Sequence, residues 1–153
     1  MKPTDKTDRA QTETLSFEFD LRHPPQKVWR ALTEPALLRE WLLPVTGFAL
    51  EPGAAFEFRT QPQPGWDGTV QCRLLEAEAQ RKISYTWVVG EMDTVVTFTL
   101  APTATGTLLS LVHTGFKPHQ KQNFGGARYG WNLMGAKLFA TLDAAETSTG
   151  GTP

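Results

Sequence analysis

Leu15, Phe17, Phe19 and Leu21 alternate with polar residues, a pattern that predicts a strand with one wet face. His23-Pro24-Pro25 ends it, and Pro25 suits the first turn of a helix, where a missing N–H costs nothing. Val28, Ala31 and Leu32 follow at helical spacing. Thr33-Glu34-Pro35 restarts the chain in the same way, and Leu37, Leu38, Trp41 and Leu42 form a second apolar stripe that stops before Pro44. The reading is one strand, then two short helices.

The middle of the chain reads as strands. Segments 47–50 and 55–60 flank the turn formers Glu51-Pro52-Gly53. Segment 61–68 holds Pro and Gly with a lone Trp66 and reads as a loop. In 69–79, Val70, Cys72 and Leu74 are in phase before the pattern shifts to Leu75 and Ala77, which predicts a bulge. Alternation returns at Ile83, Tyr85, Trp87 and Val89, at Val96, Phe98 and Leu100, and at Leu109, Leu111 and His113. The period then changes. From about Gln122 the apolar residues Phe124, Ala127, Trp131, Met134, Leu138 and Leu142 recur three or four apart. A helix of roughly 20 residues is about 30 Å long and crosses a small sheet. The expected class is therefore α+β: an antiparallel sheet of about seven strands, covered on one face by a long C-terminal helix.

Polar composition marks 1–14 and 147–153 as expected disordered tails around one folded unit, 15–146. The 153 residues suit one domain. With 15 Lys+Arg against 16 Asp+Glu, the chain lacks the basic excess that coating nucleic acid or anionic lipid requires. A single cysteine, Cys72, excludes an intramolecular disulfide and a multi-cysteine zinc site. No apolar run is long enough to span a membrane, and the N-terminus has no apolar leader pattern, so a cytoplasmic location is expected. Nine Phe, five Trp and two Tyr promise large, stiff apolar surfaces inside.

Several phrases, in this order, carry a resemblance. They are Pro24-Pro25-Gln-Lys-Val-Trp-Arg-Ala-Leu-Thr33 with Pro35, Leu38 and Trp41, then Gly53-Ala-Ala-Phe-Glu-Phe58 and Arg81-Lys-Ile-Ser-Tyr-Thr-Trp87. Gly106-Thr-Leu-Leu-Ser-Leu-Val-His-Thr-Gly-Phe116 and Gly130-Trp131 complete the set. Together they resemble the START-like (SRPBCC) superfamily and, more narrowly, the family of the activator of the ninety-kilodalton heat-shock-protein ATPase. The resemblance implies a helix-grip fold with a cavity between sheet and C-terminal helix, used by relatives for sterols, lipids, plant hormones or polyketides. It also implies, as an alternative, a stress-response co-chaperone acting on a chaperone ATPase. Two positions depart from the pattern: 117–129 has no acidic residue and contains Gly125-Gly126, and Gly135 stands where a large aliphatic side chain is usual.

On that fold the expected ligand-contacting residues are Phe56, Phe58, Tyr85, Trp87, Phe98, Leu111, His113, Trp131, Met134 and Leu138, with Trp66 at the mouth. Gly135 is expected to leave room for the ligand. The expected partner is a small, mostly apolar molecule. His113 is the one ionisable group phased with apolar neighbours, and a second alternative is an enzyme acting on a polyketide-like substrate through His113 and Tyr85. No acidic partner for it stands out, so no catalytic residue is assigned. His23 and His119, beside prolines, read as solvated. The scattered His and Cys lack metal-ligand spacing, and no phosphate loop or Gly-x-Ser-x-Gly occurs, so neither a metal nor a cofactor is expected.

Overall fold

The computed structural model describes residues 2–8 and 12–150. Its elements are β1 (Thr4–Asp5), β2 (Thr14–Leu21), α1 (Pro25–Thr33), α2 (Pro35–Trp41), β3 (Val45–Thr46), β4 (Ala55–Arg59) and β5 (Thr69–Glu78). They continue with β6 (Lys82–Val89), β7 (Met92–Pro102), β8 (Thr107–Thr114) and α3 (Lys121–Gly150). All pairings are antiparallel, in the order β1-β2-β8-β7-β6-β5-β4-β3. This is the α+β architecture that the periodicity predicts, in the helix-grip form that the resemblance implies.

Register sets the inner face. Phe17 pairs with Leu111, Leu111 with Phe98, and Phe98 with Ile83, so one buried row crosses four strands. The next row runs Leu15, His113, Val96, Tyr85. Because side chains alternate faces, the residues of each such row point the same way. The long helix α3 lies over this face with Trp131, Leu138 and Leu142 buried, and Phe139 stacks on Phe19 at 5.9 Å. Each buried side chain of this size contributes about 1.5–3 kcal/mol by leaving water. Proline occupies the first turn of both α1 and α2. Trp41 donates its indole N–H to the Ala31 carbonyl at 2.8 Å, which locks the two short helices together.

Several expectations change. Segment 47–50 is not a strand: the pairing is made by Val45–Thr46, and Gly47 at φ +79° turns the chain out of extended geometry. The N-terminal tail includes a strand, since Thr4 and Asp5 pair with Glu18 and Phe17. Helix α3 continues to Gly150, into the expected C-terminal tail, and residues 1, 9–11 and 151–153 of the two tails lie outside the described residues. The bulge is present between Leu74 and Glu76, but it turns Leu75 outward, where it is 45 % exposed. His23 is buried rather than solvated, with Nε2 3.0 Å from Asp143 Oδ1, so it joins the start of α1 to the far part of α3. Among the described residues no helix is long and apolar enough to cross a membrane.

Candidate functional site

A cavity of about 430 Å³ opens under the first turns of α3, above the end of the sheet where β6 turns into β7. Its sheet side is built by Trp87 and Val89 of β6, Met92 of β7 and His113 of β8. The helix side is built by Gly126, Ala127, Gly130, Trp131 and Met134, with Gln122 and Asn123 at the exposed start of α3. The positions 126, 130 and 134 are four apart, so they share one helix face. A Cβ on Gly126 would meet nothing within 4 Å, and one on Gly130 only the Met134 Cε at 3.6 Å. Backbone therefore borders open space there. Trp66 closes another side, its ring held by an indole N–H donated to the Thr69 carbonyl at 2.9 Å and by a backbone pair with Gln63.

Behind the wall runs a hydrogen-bond chain. Trp131 Nε1 lies 2.9 Å from His113 Nδ1, and an indole N–H can only donate, so Nδ1 is the acceptor and carries no proton. The proton of the neutral ring sits on Nε2 and is donated to Thr94 Oγ1 at 2.7 Å. The Thr94 hydroxyl donates in turn to the Trp87 carbonyl at 2.7 Å. Burial disfavours the imidazolium and pushes His113 down from 6.5 to about 3. Both ring nitrogens are committed, so His113 holds Trp131 in place and has no lone pair left for general-base work. Tyr85 is buried in the neighbouring row, and burial raises its phenol well above the ordinary range. The pairing of His113 with Tyr85 as an acid–base couple is thus not what the geometry provides.

Of the residues expected at the cavity, Trp66, Trp87, His113, Trp131 and Met134 border it together. The others lie elsewhere. Phe58, Tyr85 and Phe98 pack ring on ring, with Phe58–Tyr85 at 6.0 Å and Tyr85–Phe98 at 6.4 Å, and Leu111 and Leu138 are fully buried among the core residues. Phe56 touches Tyr85 at 5.2 Å and borders a separate groove beside Cys72 and Arg73. Gly135 does not open space: a Cβ there would lie 2.5 Å from Pro3 Cγ and 2.9 Å from Phe19 Cε2. The helix approaches β2 closely at that point, and Pro3 fills the gap. The sequence reading missed Val89, Met92, Gln122, Asn123, Gly126, Ala127 and Gly130. The four-residue spacing of Gly126, Gly130 and Met134 was the available signal for the last of these.

Residues 22–143 match the family described as activator of Hsp90 ATPase homolog 1-like protein. The chain belongs to that family. Among solved structures, protein MLL2253 from Mesorhizobium loti is 39% identical, with 86% of this chain and 97% of that one covered and a TM-score of 0.80. A Chromobacterium violaceum protein is 26% identical over 86% of this chain and 98% of its own, with a TM-score of 0.69. DynU16, a protein in the dynemicin biosynthetic locus, shares the fold at 17% identity and a TM-score of 0.74, over 88% of this chain and 49% of that one. No curated protein matches. As a family member the chain carries a START-like domain, a class that generally binds small molecules. Among the described residues no three His, Cys, Asp or Glu side chains stand close enough to hold a metal ion.

Proposed function

We propose that this domain binds a small, mostly apolar molecule in the cavity under α3, in the cytoplasm. The observation that carries the reading is unfilled space of about 430 Å³ bordered by three indoles, two methionines and bare helix backbone at Gly126 and Gly130. That volume falls within the roughly 300–1,000 Å³ range of ligand pockets, and the wall is mostly apolar with a few polar groups at one end. No catalytic step is assigned, because His113 is committed to Trp131 and Thr94. The chaperone-ATPase alternative rests on the family description alone; the cavity favours a small ligand.

A native mass spectrum of freshly purified protein tests this. The expected result is a non-covalent adduct that disappears on denaturation and is missing from Gly126→Leu, whose side chain would occupy the cavity. Bare protein in the wild type, after purification without detergent, counts against the reading.

A further inference from the structure

The cavity wall has a chemical bias. Among the described residues no charged side chain borders it, since the one titratable residue of its wall is His113, kept neutral by burial with Nδ1 accepting from Trp131 and Nε2–H donated to Thr94. An ion placed inside would lose its hydration with no counter-charge in the wall to replace it. The indole N–H groups of Trp66 and Trp131 are already donated to Thr69 and His113. These two residues therefore present ring surface rather than donors. Trp87 and Trp131 sit 5.5 Å apart at 49°, forming an angled pair of rings. Met92 and Met134 add polarisable thioethers, which favour aromatic partners. The polar side chains on the wall that are not buried, Gln122 and Asn123, are carboxamides at the start of α3.

We propose that the cavity selects an uncharged aromatic molecule whose rings lie among Trp66, Trp87 and Trp131, with a neutral polar substituent directed to Gln122 and Asn123. Gly126 and Gly130 keep the helix side clear for it. Alanine is the better residue in a helix interior, and at both positions a Cβ would fit. Glycine at these two positions gives up helix stability on the face that borders the cavity. This inference rests on the cavity being a ligand site.

The test is calorimetric titration with three probes built on one fused two-ring skeleton: 2-naphthol, its saturated counterpart decahydro-2-naphthol, and 2-naphthoate. Ring–ring contacts predict that 2-naphthol binds about tenfold more tightly than the saturated alcohol. The anion 2-naphthoate is expected to bind at least as weakly as the saturated alcohol. Gly126→Leu and Gly130→Ala should weaken 2-naphthol binding while raising the melting temperature. Gly125→Leu, on the exposed side of the same turn and off the cavity wall, should raise the melting temperature and leave binding unchanged. Equal affinity for the saturated alcohol or for the anion overturns the aromatic, uncharged assignment while leaving a ligand site intact. Unaltered binding in both Gly126→Leu and Gly130→Ala overturns the placement of the rings. Absence of heat with all three probes overturns the inference, and a bare native mass spectrum beside it takes the ligand-site reading down too.

Discussion

At the scale of single residues, His113 shows how burial decides chemistry. The same imidazole in water would titrate near 6.5; here it is pushed down to about 3 and spends both nitrogens on Trp131 and Thr94. The unfolded chain takes up a proton near 6.5 and the folded protein only near 3. The contribution of this group is thus fully present above pH 6.5 and declines as pH falls toward 3, by at most ~1.4 kcal/mol per pH unit. His113→Leu removes the titrating group and strands the Trp131 N–H, at a cost of ~1–3 kcal/mol at pH 7. Urea unfolding at a series of pH values should show the variant less stable at pH 7 and with a flatter pH dependence from 6.5 to 3. Parallel curves would mean that His113 titrates alike in the folded and unfolded chain, which would overturn its buried, neutral state. Cys72 follows the same logic: burial pushes its thiol up to about 12. It should ignore a thiol reagent at pH 8 until denaturant is added.

At the scale of elements, α3 has two different flanks. One is pinned to the sheet edge. Pro3 sits against Gly135, and Arg128 reaches Asp5 Oδ2 at 2.6 Å, while Lys6 N–H bonds to the Ser16 carbonyl at 2.8 Å. Burial pushes the Asp5 carboxyl up, but the hydrogen bonds from Arg128 and Thr7 outweigh it and leave the group below its ordinary value. The other flank, at 126, 130 and 134, stands over the cavity. Glycine therefore means opposite things ten residues or fewer apart. Gly135→Ala should lower the melting temperature because its Cβ collides with Pro3 and Phe19, whereas Gly125→Ala should raise it by the roughly 1 kcal/mol difference in helix propensity. For a chain of this length that difference corresponds to about 2–4 °C, readable in a thermal melt. Deleting residues 1–8 should speed amide exchange along 128–139 and spare the core strands β6 to β8.

At the scale of the whole molecule, a curved sheet and one long helix meet tightly along most of their length and part at one end. Near Phe19, Phe98 and Leu138 the two layers are in full contact. Toward the start of α3 the glycines and the β6–β7 turn leave them separated. A ligand that binds only the folded state stabilises it by about 2.7 kcal/mol at a hundredfold excess over its Kd. For 2-naphthol this predicts a rise of several degrees in melting temperature. Exchange should slow at 121–134, the stretch over the cavity, with little change at 135–144.

The sequence by itself determined the class of element almost everywhere, because the period of apolar residues is a local property of the chain. The switch from alternation up to His113 to three-and-four spacing from Phe124 is visible without any partner. Prolines at 25 and 35 fixed where the short helices begin, and the phase break after Leu74 fixed the bulge. It failed where a segment is too short to carry a period, as at 47–50 and in the two-residue strand at Thr4–Asp5. Cavity against core was decided only by the tertiary structure. Phe58, Phe98 and Trp87 alternate alike along their strands, yet only Trp87 lies under the part of α3 that stands away from the sheet. Gly135 and Gly130 look alike in a helical stripe, and which one faces Pro3 and which one faces open space depends on residues more than a hundred positions away. Phase tells which face a side chain takes, but whether space remains there depends on how closely a second, distant element packs against it.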